Sequence, residues 1–391
     1  MFSLLKVLFS SVIPKIFIFI LNLVLARTLN LSDFGVYSYV KSFFNFFETT
    51  VSSPLVPHSV SSISNKTLRV NQITSIYFLF SVFSAILATV VIIIDGTVSS
   101  FYVPIILCVG VFGSIANSYL YVRVITIDNT NILFLSSFLS ILILGILLYS
   151  FPIVSIERAL LFATSFNCLD FLFKYFFLKR YSFCIKFEFN DLQIKKPLLL
   201  IASLGINGVI FLFQRMMLAR TENGMEQMAY LEIVMMIFSL IAIFLSSQGN
   251  YLMGRDQFTF LKYELVSFKL FLFLTLTSSI TYSIIILLGR QGIFWIFDIN
   301  ITQTLCIATS LMIFIYSIAF YSVRLVIMKN MQHVTLYSTI ISACFAFLPY
   351  LYLDISALSI VYSYCIFYFS LSLSNFSFVF WRGDGIKKTF N

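Results

Sequence analysis

"LARTLNLSDFGVYSYVKSFFNFFE", Leu25 to Glu48, is a polar elbow set between two strongly apolar runs. Asn30, Ser32 and Asp33 bring turn and cap chemistry to the break. Ser32 or Asp33 can cap the second run, with the acid at the positive end of the helix dipole. The flanking runs decide the fold class. Runs near twenty residues are long enough to cross about 30 Å of hydrocarbon as helices, whereas barrel strands would alternate over about ten residues. The chain as a whole is 60% hydrophobic and 10% charged, with a mean hydropathy of +0.99 over 391 residues. That is far more apolar than a soluble domain, so an all-α polytopic membrane protein is expected.

Working outward from the elbow, apolar windows and their polar breaks predict about twelve spans. They lie near 5–27, 35–57, 73–94, 101–122, 131–151, 156–178, 198–219, 228–250, 265–288, 301–323, 334–353 and 356–380. The first run is longer than a signal-peptide core and ends in Arg27 without a small-residue cleavage site, so it reads as a retained span. No soluble stretch is long enough for a folded extramembrane domain. The six cysteines (Cys108, Cys168, Cys184, Cys306, Cys344, Cys365) are scattered through apolar sequence without CxxC spacing and read as packing residues.

Cytoplasmic loops collect lysine and arginine. With the N-terminus inside, the inner segments hold Lys6, Lys66, Arg69, Arg123, Lys179, Arg180, Lys186, Lys195, Lys196, Arg255, Lys262, Arg324, Lys329, Arg382, Lys387 and Lys388. The outer loops hold only Arg27, Arg158, Arg220 and Arg290. Both termini are therefore expected in the cytoplasm. The net charge of +9 reads as topology and contact with anionic lipid, not as nucleic-acid binding.

The longest break, Leu178 to Pro197, is the most basic and follows six spans. "LART" returns at Leu218 to Thr221, an offset of 193 residues that also pairs Asn30 with Asn223 and Tyr37 with Tyr230. Two six-helix bundles, 1–190 and 191–391, related as a parallel internal repeat, are the expected domains.

Polar residues inside the spans are the candidate site. A cation at mid-membrane costs about 2.5–3.5 kcal/mol on insertion scales, and Lys15 lies about midway through span 1 with Asn22 on the same face. Span 2 carries Lys41, Asn45 and Glu48, and span 7 carries Asn207, Gln214 and Arg215, each set on one helical face. Lys41 and Arg215 lie near enough to the outer loops that snorkelling competes with a place in a cavity. Glu48 has two readings: it neutralises a nearby lysine, or it couples a proton or cation. Asp170 and Lys174, at i and i+4, read as a structural ion pair. Nothing points to catalysis or a metal. GxxxxGK[ST], HExxH and GxSxG are absent, and the two histidines, His58 and His333, have no ligand-like neighbours.

The segment "ARTLNLSDFGVYS" resembles the O-antigen and polysaccharide flippases of the multidrug/oligosaccharidyl-lipid/polysaccharide exporter superfamily. The likeness rests on Arg27, Leu29, Asp33, Phe34, Gly35 and Tyr37. The second half, "ARTENGMEQMAYLE", keeps the tyrosine and lacks the Phe-Gly. The resemblance implies a V-shaped, alternating-access transporter in a bacterial inner membrane that moves an undecaprenyl-pyrophosphate-linked oligosaccharide to the periplasmic leaflet. Lys15, Lys41 and Arg215 would receive the pyrophosphate in a cavity lined also by Asn22, Asn45, Asn207 and Gln214. Arg27, Asp33, Phe34, Gly35 and Tyr37 would be mainly a structural elbow. Implied partners are the lipid-linked oligosaccharide, the membrane, a polysaccharide polymerase and a chain-length regulator, with no cofactor beyond a coupling proton or cation. Two other readings stay open. One is an O-antigen polymerase, which usually needs a sizeable outer loop; the other is a cation-coupled drug exporter of the same superfamily.

Overall fold

The computed structural model describes residues 16–52, 69–98, 100–127, 129–151, 155–181, 185–190, 195–255, 290–328 and 332–386, with isolated positions between them. Among these residues regular structure is helical and no strand is present. In chain order the helices are α1 (Ile16–Thr28), α2 (Leu31–Phe47), α3 (Val70–Asp95), α4 (Tyr102–Thr126), α5 (Thr130–Ser150), α6 (Ile156–Lys179) and α7 (Lys195–Ala219). Then come α8 (Gly224–Arg255), a short helix over 290–297, α9 (Gln303–Met328), α10 (Gln332–Phe345) and α11 (Ala357–Ile386). Among the described residues, seven helices are long and apolar enough to cross a membrane. The protein is a multi-pass membrane protein. Most of the ninth expected span, 265–288, and all of Lys15 lie outside the described residues.

The elbow is tighter than the sequence suggests. Only Leu29 and Asn30 separate α1 from α2, so Asn30 is the cap, in place of Ser32 or Asp33. Its side-chain oxygen accepts the Asp33 N–H at 2.7 Å, and its amide donates to the Asp33 carboxylate at 2.9 Å. The correction follows from the helix starting at Leu31: a cap must stand just before the first helical residue, which leaves Asp33 in the first turn facing the dipole. Phe34, Gly35 and Tyr37 are buried, and Arg27 is exposed. α10 also departs from expectation by ending at Phe345. A 3₁₀ turn over Leu348–Leu351 follows, carrying Pro349, which has no N–H to continue the helix.

The helices gather into two compact units, Met1–Ala219 and Arg220–Asn391. In the first, α4 is the hub, packing on α2, α3, α5 and α6. Its closest neighbour is α6, and small residues allow the approach. A Cβ added at Gly110 would lie 2.5 Å from Thr164 Cγ2, and one at Gly113 would lie 2.6 Å from Cys168 Sγ. Thr164 and Cys168 stand one turn apart on α6, as Gly110 and Gly113 do on α4. Such contacts carry helix association in lipid, where burial of apolar surface against lipid tails gains little. α7 packs on α2 and on the π-helical turn Glu48–Ser52 that continues it.

The second unit repeats part of this plan. α9, α10 and α11 pack on one another as α4, α5 and α6 do. One offset of 201 residues relates Tyr121 to Ser322, Ser137 to Ser338 and Lys174 to Asn375. Asn375 donates to Ser322 Oγ at 3.1 Å. One turn from these residues, after Ser322 and Asn375 and before Ser338, Val326, Val379 and Val334 form a buried cluster. The repeat is therefore legible in side-chain layers as well as in the "LART" pair.

Gly110→Ala and Gly113→Ala are expected to lower stability by about 1–3 kcal/mol, the usual cost of overpacking. Gly145, on α5 with nothing within 4 Å of an added Cβ, is the control. There alanine should leave stability unchanged or raise it by up to about 1 kcal/mol. Thermal unfolding in one detergent compares the three, and a hub variant as stable as wild type would rule out the close-packing account.

Candidate substrate-binding site

Two sets of buried polar groups in the first unit include charged side chains, one on α1 and α2 and the other on α4, α5 and α6. In the first, Asn22 of α1 is buried and its Oδ1 accepts the Tyr37 hydroxyl at 2.8 Å. Tyr37 is fully buried, and Lys41, one turn on, holds its ammonium 5.6 Å from the Tyr37 ring centroid. Lys41 is only 7% exposed. It lines a pocket with Val40 and Phe44 of α2, Leu107 of α4, and Leu160 and Thr164 of α6. The side chain thus lies inside the bundle, not extended along the lipid surface. A ring face is a favourable neighbour for a desolvated cation. Tyr37, expected only to shape the elbow, is thereby placed against a candidate site residue.

Asn45 and Glu48 are half-buried at the end of α2. Glu48 opens the π-helical turn, a deformation often found at functional sites. On the other face of this turn α7 comes close: a Cβ on Gly208 would meet Thr50 Oγ1 at 2.8 Å. The α7 residues Gln214 and Arg215 are buried and Asn207 is half-buried. Glu232 of α8, in the second unit, is buried as well.

The other set is a closed ion cluster. Lys174 Nζ lies 2.5 Å from Asp170 Oδ2, as the i, i+4 spacing predicts. Asn117 of α4 joins both ends, donating to Asp170 at 3.0 Å and accepting from Lys174 at 2.9 Å. Ser137 of α5 donates to Asp170 Oδ1 at 3.4 Å, and the Tyr121 ring lies 5.8 Å from the ammonium. Asp170, Lys174 and Asn117 are each at least nine-tenths buried. Sequence spacing found the pair and missed Asn117, Ser137 and Tyr121, because their partners lie on other helices. The only signal available was an asparagine in an apolar run. At the equivalent level of the second unit, Ser322, Ser338 and Asn375 make a neutral polar layer, and Leu371 stands 201 residues after Asp170.

Residues 24–115, which contain the elbow and the Tyr37–Lys41 pair, match the family model described as "Polysaccharide biosynthesis protein". No curated protein matches the chain. Solved structures match nearly end to end. An outward-facing multidrug resistance MATE family transporter of the MOP superfamily superposes with a TM-score of 0.60 at 12% identity, covering 99% of this chain and 96% of that one. A eukaryotic MATE transporter, AtDTX14, gives 0.65 at 12% identity over 97% and 94% of the two chains. A MOP superfamily transporter from Pyrococcus furiosus, described as having a binding pocket of reverse polarity, gives 0.60 at 12% identity over 98% and 96%. The fold is that of the MATE transporters of the MOP superfamily. The similarity to polysaccharide biosynthesis proteins is confined to residues 24–115, about a quarter of the chain.

Removing one member of the ion cluster leaves a buried charge unpaired, at a cost of about 3–5 kcal/mol. Asp170→Leu and Lys174→Asn should each be destabilised by about that much in thermal unfolding. The double variant, which copies Leu371 and Asn375 of the second unit, should recover most of the loss. A double variant as damaged as the sum of the singles would contradict the pairing.

Proposed function

We propose that the protein is a flippase for a lipid-linked oligosaccharide, carried as its undecaprenyl pyrophosphate from the cytoplasmic to the periplasmic leaflet of a bacterial inner membrane. The observation that carries this reading is Lys41. It is a buried cation in a membrane-embedded bundle of transporter fold, inside the segment that matches polysaccharide biosynthesis proteins. Such a charge is costly unless an anion or a dipole shares the site. A buried cation attracts an anionic headgroup such as pyrophosphate, while the polyprenyl tail stays in lipid and needs no polar path.

In this reading Lys41 and Arg215, with Lys15 of span 1, offset the desolvation of the pyrophosphate, and Asn22, Asn45, Asn207 and Gln214 supply neutral polar contacts. The two halves, 1–190 and 191–391, alternate in access. A headgroup with about two negative charges gains about 2.3 kcal/mol per charge per 100 mV of inside-negative potential as it moves outward. That gives roughly 4–5 kcal/mol before any coupling through Glu48. The MATE fold supports transport over a polymerase. A cation-coupled drug exporter is the competing reading, since the solved relatives include multidrug transporters. A deep lysine suits an anionic cargo better than a cationic drug.

Leaflet-resolved accessibility of the lipid-linked sugar tests the proposal. Losing a charge-assisted contact of about 1.5–3 kcal/mol predicts flipping slowed roughly ten- to a hundredfold in Lys41→Ala, with Lys41→Arg closer to wild type. Normal flipping in a well-expressed Lys15→Ala, Lys41→Ala double variant would reject the cationic site. Drug resistance without any glycan phenotype would favour the exporter.

A further inference from the structure

Between α6 and α7, residues 185–190 form a strap without helix or strand. It is laid along the first turns of α3. The Glu188 N–H donates to Ser75 Oγ at 2.7 Å, and its carboxylate lies 3.0 Å from Arg69 Nη1. Gln72 donates to the Asn190 carbonyl at 3.3 Å, and the Phe187 ring centroid is 5.1 Å from that of Phe78. Four contacts on one helix make the joint between the halves a docked element.

Phe187 and Phe189 share one face, with centroids 6.1 Å apart and planes 12° from parallel. Protein does not cover them: they are 48% and 52% exposed, and Phe78 beside them is 40% exposed. Phe78 lies eight residues into α3, about 12 Å from its start. Helix α3 is long and apolar enough to span a membrane, and a bilayer that it crosses would hold the rings inside the edge of its hydrocarbon. Polar groups mark the end of the same helix. Lys186 is exposed, Arg69 has a side chain 79% exposed, and Lys179 and Arg180 are exposed where α6 ends. Against these four cations the strap offers one carboxylate, Glu188.

We infer that the strap is a lipid-docking element. Phe187 and Phe189 enter the acyl region beside Phe78, while Lys186, with Arg69, Lys179 and Arg180, holds anionic phospholipid headgroups. The cation excess names the lipid class, and the depth of the rings names a bilayer over a soluble partner. Lipid contact then pins the linker to the first unit, to which α7 also belongs. The lysine and arginine asymmetry assigns this leaflet to the cytoplasm, but the docking itself does not depend on orientation or on the cargo.

The chain has two tryptophans, Trp295 and Trp381, which Trp295→Phe and Trp381→Phe remove. Phe187→Trp or Phe189→Trp in that background, reconstituted into phosphatidylcholine vesicles, then reports on the strap. Brominated phosphatidylcholine should quench the emission severalfold more than acrylamide does. Quenching by acrylamide alone would place the strap in water, and protection from both would mean that protein, such as a second copy of the chain, covers it; either result overturns the proposal. The headgroup is tested without these probes. Adding phosphatidylglycerol should raise the unfolding temperature of the wild-type protein, and Lys186→Ser should shrink the rise. Equal wild-type midpoints with and without phosphatidylglycerol would overturn the anionic site.

Discussion

The first unit depends on how closely α4 and α6 approach. Gly110 and Gly113 leave no side chain between the helices, and Thr164 and Cys168 fill the space. In lipid there is little hydrophobic gain in bringing two apolar helices together, so dispersion and interhelical hydrogen bonds must do it. The approach at Gly110 and Gly113 brings Asn117, further along α4, within reach of Asp170 and Lys174. It also forms two walls of the Lys41 pocket, through Leu107 on α4 and Leu160 and Thr164 on α6. Both polar sets of the unit therefore rest on the same contact.

The two sets treat buried charge differently. Asp170 and Lys174 neutralise each other and share Asn117, which closes the cluster. The second unit fills the equivalent level with serine and asparagine. The fold therefore accommodates this layer without an ion pair. Lys41 lines a small pocket with Val40, Phe44 and Leu107 and holds its ammonium near the Tyr37 ring. The proposal of an anionic cargo rests on the burial of Lys41 inside the segment that matches polysaccharide biosynthesis proteins.

Much of the helical plan was legible because apolar length is a one-dimensional signal. Expected spans such as 131–151 and 156–178 lie within a residue or two of α5 and α6. The errors came where a local geometric choice decided. Asn30 took the cap because α2 begins at Leu31, and α10 stopped early at the turn leading to Pro349. Site residues were half legible. Spacing along one helix identified the Asp170–Lys174 pair and the Lys41, Asn45, Glu48 stripe. It could not show that Tyr37 of the elbow reaches Asn22, or that Asn117 bridges the ion pair, because those partners stand on neighbouring helices.

By itself the sequence determined that this chain is a helical membrane protein with an internal repeat. Hydropathy over twenty residues, charge asymmetry and a recurring tetrapeptide are properties of order along the chain. Tertiary structure alone decided what surrounds each buried charge. A lysine in an apolar helix reads the same in either setting, and only packing brings Asn117 to Lys174, and Leu107, Leu160 and Thr164 around Lys41. The same holds for the joint at 178–197. It reads as a basic linker, and only its contacts with Arg69, Gln72, Ser75 and Phe78 make part of it a docked strap.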